Sequence, residues 1–140
     1  MIRKYKEPEI PTLMTIWEEA TSLAHPFLSD EFSAMIKLMM TEKYLPDSDT
    51  WVYEESDKIR GFISMMGNEI GGLFVDPTYQ SKGVGTSLVN YMEQFHKSLE
   101  VEVFQENKIG RPFYEKSGFT IINEYYMEEA NQTVLRMKRA

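Results

Sequence analysis

Val75-Asp76-Pro77-Thr78-Tyr79-Gln80-Ser81-Lys82-Gly83-Val84-Gly85-Thr86 is the stretch that decides the fold. The apolar run Ile70 to Val75 leads into it. Pro77 has no N–H to give a sheet ladder, so a strand stops at Asp76-Pro77. Past the glycines the apolar spacing becomes three and four, through Val84, Leu88, Val89, Met92 and Phe95, which predicts a helix. The loop between, Gln80 to Gly85, brings two glycines and one cation to a helix N-terminus. The first N–H groups of a helix lack intrahelical partners, and its dipole favours an anion beside them. Gly83 and Gly85 would let a phosphate approach the backbone with no Cβ in the way. The plain alternative is an ordinary strand-to-helix turn. The stretch lacks the G-x-x-x-x-G-K-[ST] of a P-loop and the third glycine of a dinucleotide fingerprint.

Downstream, Leu99 to Phe104 alternates apolar and polar, the mark of a strand. Strand, helix and strand in that order imply a parallel pair with a right-handed crossover. Upstream, Thr50 to Glu54, Ile59 to Met66 and Glu69 to Val75 are strand-like, with turns at Ser56-Asp57-Lys58 and Gly67-Asn68. Ile2 to Lys6 predicts a short strand. A helix runs from Pro8 and Pro11 to about Leu23, with Leu13, Ile16, Trp17, Ala20 and Leu23 on one face. Ser29 or Asp30 caps a second helix whose stripe is Phe32, Met35, Ile36, Met39 and Met40, expected in the core. Leu45 to Asp49 is expected as a polar loop beside the substrate. Pro112 fits only the first turn of a helix, so a short helix starts near Ile109 to Arg111 and is capped by Gly118. Phe119 to Tyr126 and Thr133 to Lys138 close the chain as a hairpin. The expected fold is α/β. A single domain over residues 1–140 holds one mixed, mostly antiparallel seven-stranded sheet with four helices on both faces.

Composition narrows the function. An apolar content of 42% over 140 residues supports a folded domain with a substantial core. A formal charge of −7 argues against a nucleic-acid partner, so an anionic ligand needs a local site such as the glycine loop. No apolar run approaches the ~18 residues of a membrane span, and the basic start has no hydrophobic region behind it. A cytoplasmic enzyme, monomeric or homodimeric, is the expectation. The absence of cysteine removes thiol nucleophiles and thiolate metal sites, and the two histidines, His25 and His96, form no H-x-x-x-H pair.

A second motif follows: Asn107-x-x-Gly110-x-x-Phe113-Tyr114-Glu115-Lys116-x-Gly118-Phe119. With Gln80-x-x-Gly83-x-Gly85 after Leu73-Phe74-Val75-Asp76-Pro77, it resembles the paired signatures of the GNAT N-acetyltransferases. The order of elements matches that family over essentially the whole chain. The resemblance implies acetyl-CoA as cofactor, held between two central parallel strands that splay apart. Leu73, Phe74 and Val75 would bind the pantetheine arm through their backbone, with the Val75 amide as oxyanion donor. Gln80, Ser81, Lys82, Gly83, Val84, Gly85 and Thr86 would hold the pyrophosphate. Asn107 would contact the cofactor arm, and Tyr114 would protonate the departing thiolate. Two features depart from the pattern. Lys82 stands where arginine is commoner, and Pro112 just before the Phe-Tyr pair leaves the aim of Tyr114 open.

Residue chemistry leaves alternatives at several of these positions. Tyr114 reads also as a core tyrosine between Phe113 and Phe119, and Asn107 as a helix cap. Transfer to an amine requires a proton acceptor for an ammonium group. Glu69, at the head of the cofactor strand, is the expected base, or else a solvated residue after a turn. Glu102 and His25 are the other candidates, and His25, Phe27 and Glu102 are expected at the acceptor. The expected acceptor is a primary amine of a small molecule, attacking directly in a ternary complex. A peptide lysine, a protein N-terminus, or a CoA-binding sensor without turnover are the other readings.

Overall fold

The computed structural model describes residues 1–140. β1 (Ile2–Lys4) is shorter than expected, and a 3-10 turn at Glu7–Glu9 leads into α1 (Ile10–Ala24), with Pro11 in its first turn. α1 buries Leu13, Met14, Ile16, Trp17 and Ala20, as three-and-four spacing demands, whereas Leu23, expected on the same face, lies exposed in its last turn. The Ser29 hydroxyl accepts from Phe32 N at 3.1 Å and caps α2 (Asp30–Met39). Of the expected stripe, Phe32 and Met40 are buried and Ile36 and Met39 partly buried, while Met35 is exposed. The helix does not stop at Met39. A π turn (Met40–Tyr44) carries it into a last turn, α3 (Leu45–Asp47), so the expected loop at Leu45–Asp49 is helix that leads directly into a strand. Leu45 is 0% exposed and packs in the core with Met40. Its apolar burial overrides the turn-like composition of Pro46, Asp47 and Ser48.

Ser56 and Asp57, with φ of 53° and 64°, form the left-handed turn between β2 (Asp49–Glu55) and β3 (Lys58–Met66). Gly67, φ 62°, turns β3 into β4 (Glu69–Val75). α4 (Val84–Met92), β5 (Leu99–Phe104), α5 (Gly110–Lys116), β6 (Thr120–Met127) and β7 (Gln132–Arg139) complete the chain. Phe95 lies beyond α4, largely exposed and stacked on Trp51 at 5.4 Å, so it does not continue the buried stripe. The sheet order is β1-β2-β3-β4-β5-β7-β6, antiparallel except for β4 and β5. Counting α2 and α3 as one interrupted helix, four helices cover it. α1 and the π turn pack on Val52 and Phe62 on one face. α4 and Tyr114 of α5 pack on Ile63, Val101, Val103 and Leu135 on the other. No helix is long and apolar enough to cross a membrane.

One buried polar pair sits inside this framework. Thr50 and Ser64 face each other across β2 and β3, with their hydroxyls 2.8 Å apart. Thr50→Val should lower stability by about 1–2 kcal/mol, because the buried Ser64 hydroxyl loses its partner. Adding Ser64→Ala should recover most of that loss in urea unfolding, since then neither group is stranded.

Candidate active site

Two neighbouring parallel strands part here, and the reason is local. β4 pairs with β5 only at Glu69 with Glu100 and Ile70 with Val101. On its other edge Met65 pairs with Ile70 and Ser64 with Gly72, which leaves Gly71 as a bulge in β4. A bulge bends and twists its strand, and this one falls where the pairing to β5 ends. Further along, Asp76 N donates to Arg60 O at 2.8 Å. Counting back by twos, Phe74 and Gly72 bond to β3, whereas Leu73 and Val75 turn N–H and C=O towards the gap. Backbone groups so placed need a partner, and an extended polar chain laid in the gap supplies one.

The end of the gap is the glycine loop. Ser81 (φ 67°) and Gly83 (φ 84°) take left-handed backbone, and Gly83 caps α4. Ser87 N to Gly83 O, at 2.9 Å, is the first helical bond, so the amides of Val84, Gly85 and Thr86 remain open. The two glycines serve different needs. A Cβ on Gly83 would meet nothing, so its demand is conformational. A Cβ on Gly85 would lie 3.1 Å from the Phe113 ring, so Gly85 lets α5 close against the start of α4. That packing role stands beside the phosphate-approach reason expected for Gly85.

A cleft of about 510 Å³ follows the gap from Ile70 to the loop. Leu73, Phe74, Val75, Gln80, Ser81, Gly83, Val84, Gly85, Thr86, Asn107 and Tyr114 all line it, as do His25 and Glu102. Lys82 does not. Its Nζ lies 5.1 Å from the Tyr79 ring, which also carries the Arg60 guanidinium at 4.0 Å. A second cavity, about 380 Å³, shares Ile70, Gly71, Gly72, Glu102, Val103 and Phe104 with the first and reaches Met40, Tyr44 and Glu69. The strand gap is thus the wall common to two cavities. The π turn borders the second, in keeping with the tendency of π-bulges to occur at functional sites.

Tyr114 is buried, edge-on to Phe113 at 5.2 Å and to Phe119 at 5.3 Å. Burial pushes its phenol well above the usual range, and its hydroxyl makes no hydrogen bond within the protein. Pro112 sits in the first turn of α5 and leaves the helix intact, so Tyr114 still faces the cleft. Asn107 is also buried. Its Oδ1 accepts from Ile109 N (3.2 Å) and Gly110 N (2.8 Å), and its Nδ2 lies 3.2 Å from His25 Nε2. Asn107 is therefore the cap of α5 as well as a wall of the cleft. Phe27 stands behind that wall, 5.7 Å from both His25 and Phe104, and lines neither cavity.

Glu69 lies outside the cofactor cleft, 3.2 Å from Arg136 of β7. The same guanidinium meets Glu100 at 2.8 Å and Glu102 at 3.3 Å, and Tyr125 donates to Glu102 at 3.0 Å. Glu69 and Glu102 are thus brought together by an arginine that no local pattern marks, from a strand far along the chain. Phe113, Tyr79 and Arg136 are the site residues that sequence reasoning missed. Only Phe113 had a signal, as a motif position.

Burial lowers the His25 imidazole from 6.5 to about 4. Besides His25, the ionisable groups of the cleft are Tyr79, Glu102 of β5, and Tyr114 and Lys116 of α5, and none bonds to His25. Between pH 6.5 and 4 the unfolded chain takes up a proton that the folded chain refuses. Stability therefore falls as pH drops through that window. Urea midpoints between pH 6.5 and 5 should decline in the wild type and decline less in His25→Gln.

The sequence model of the acetyltransferase (GNAT) domain matches residues 10–140. The chain belongs to the GNAT acetyltransferases. It is 33% identical over 130 residues to the peptidyl-lysine N-acetyltransferase YiaC of Escherichia coli K12, covering 92% of this chain and 89% of YiaC. The solution structure of apo YjaB from Escherichia coli superposes with a TM-score of 0.89 at 26% identity, covering 100% and 97% of the two chains. PaiA N-acetyltransferase from Thermoplasma acidophilum, solved with coenzyme A, shares the fold at TM-score 0.79 and 22% identity, over 99% and 97%. This GNAT protein is an acetyl-CoA-dependent N-acetyltransferase. The outward backbone of Leu73 and Val75 and the open amides of Val84 to Thr86 suit the amide-rich arm and the pyrophosphate of that donor.

Proposed function

We propose that this GNAT enzyme acetylates the ε-amine of lysine in a peptide or protein. The observation that carries the proposal is the strand gap between two cavities, one lined by open backbone amides and the other edged by Glu69 and Glu102. Carboxylates at the second cavity favour a cationic acceptor. YiaC and YjaB, both relatives, are named peptidyl-lysine N-acetyltransferases. The small-molecule amine expected from sequence has less support. The segment expected as a polar loop beside the substrate, Leu45–Asp49, is helix and strand anchored by the buried Leu45, which leaves no loop there to close over a small amine.

Bound acetyl-CoA supplies an acyl carbon already activated as a thioester. The Leu73 and Val75 amides align the donor along β4, and the Val75 N–H is the proposed donor to the acyl oxygen. Tyr114 holds a proton for the departing sulfur. The apolar surroundings that raise its phenol also raise a buried thiol, which keeps the transfer balanced. Glu102, on the wall common to both cavities, is proposed to take the ammonium proton through water, with Glu69 as the second candidate. The amine nitrogen then bonds to the acyl carbon as the carbon–sulfur bond breaks.

The test is thiol release with small amines, free peptide N-termini and lysine peptides, with the acetylated atom located by mass spectrometry. Turnover confined to lysine side chains supports the proposal. Turnover with small amines or α-amines alone overturns it.

A further inference from the structure

His25 lies 82 residues from Asn107, yet the two side chains meet at 3.2 Å. The Asn107 amide has one possible orientation, settled without reference to His25. Its Oδ1 receives two backbone N–H groups, from Ile109 and Gly110, and only oxygen can accept them. Nδ2 therefore faces His25, and an amide N–H requires a lone pair on Nε2. His25 is neutral, with its proton on Nδ1.

Two aromatic rings flank the imidazole. Phe27 and Phe104 meet it edge-on at 5.7 and 5.2 Å, and they meet each other at 5.7 Å. His25 thus joins the end of α1, the carboxyl end of β5 and the cap of α5. The connection is tight on the far side too, since a Cβ on Gly110 would fall 2.5 Å from Asn107 Nδ2. α5 has seven residues, too few to hold itself together in water, so its direction depends on its cap and its packing. It carries Phe113 against Gly85 and Tyr114 into the cleft.

We propose that His25 is a positioning residue of this acetyltransferase. As a neutral acceptor it locks Asn107, and through Asn107 it aims α5 and Tyr114 at the cofactor cleft. The inference rests on the acetyl-transfer site described above, but not on which amine is the acceptor. It removes His25 from the candidates for the general base, because the lone pair a base needs is already engaged.

The test compares three variants. His25→Gln keeps a neutral acceptor oxygen at nearly the same reach, His25→Leu removes the acceptor, and His25→Lys offers only donors. Long-range proton–nitrogen NMR of the protein without cofactor should show an unprotonated Nε2 on His25. The Ile109 and Gly110 amide signals should stay near their wild-type positions in the Gln variant and move or broaden in Leu and Lys. In turnover, Leu and Lys should lose roughly tenfold to hundredfold in kcat, and Gln should recover most of that loss. A protonated Nε2 in the wild type overturns the proposal, and so does a Leu variant with wild-type α5 signals and kcat. The NMR result needs no acceptor, so failure to acetylate lysine would count against the proposed substrate and leave the His25 clamp to stand or fall on its own signals.

Discussion

Tyr114→Phe is expected to slow acetyl transfer about a hundredfold or more, while CoA binds within a few-fold of wild type. The phenol is buried beside Phe113 and Phe119 and makes no hydrogen bond in the protein. Loss of its hydroxyl therefore strands no partner and leaves the packing unchanged. The effect should fall on the departure of the thiolate, which must otherwise leave without a proton. Single-turnover thiol release should show a slower chemical step, and calorimetry with CoA should show a nearly unchanged affinity. The defect should also narrow when the donor's leaving thiol is more acidic, since such a thiolate needs less help. Equal rates in the two proteins would remove Tyr114 from the chemistry and leave it a core residue.

Gly61→Ala is expected to cost about 1–3 kcal/mol of stability and to weaken CoA binding as well. A Cβ there would lie 2.9 Å from Val84 Cγ1, 3.0 Å from the carbonyl oxygen of Phe74 and 3.4 Å from Val75 Cα. A methyl group on Val84 can shift. The β4 backbone cannot, because its spacing from β3 is set by the ladder on either side. The strain thus acts on Phe74 and Val75, the residues that border the gap, and on the first residue of α4. Thermal unfolding should move down by roughly 3–10 °C. Gly67→Ala makes the comparison. It meets no atoms, but its φ of 62° costs a side chain about 1–2 kcal/mol. It should destabilise with no change in CoA affinity, because the β3–β4 turn lies at the far end of the strand.

The motif residues were legible because their signals are local. Pro77 ends a strand whatever lies opposite, and Gly83 permits a backbone that few residues adopt. The alternation of Leu99 to Phe104 and the spacing of Val84, Leu88 and Met92 each announce one buried face. Where the local signals misled, tertiary burial had decided. Pro46, Asp47 and Ser48 look like a loop, yet Leu45 holds the segment in the core and the helix passes through a π turn to reach it. Met35 and Phe95 continue apolar stripes in the sequence, and both lie largely exposed.

By itself the sequence determined the order of elements, the parallel pair at its centre, the capped loop and the family that these imply. Periodicity, proline and glycine act within a few residues, so they can be read in one dimension. The tertiary structure alone decided how the site is wired. The bulge at Gly71 opens the gap, Arg136 gathers three glutamates from two strands, and Asn107 meets a histidine from the other end of the chain. Contacts of that kind depend on strand register and on which faces pack together, and those follow from the free energy of the whole folded chain rather than from any one segment.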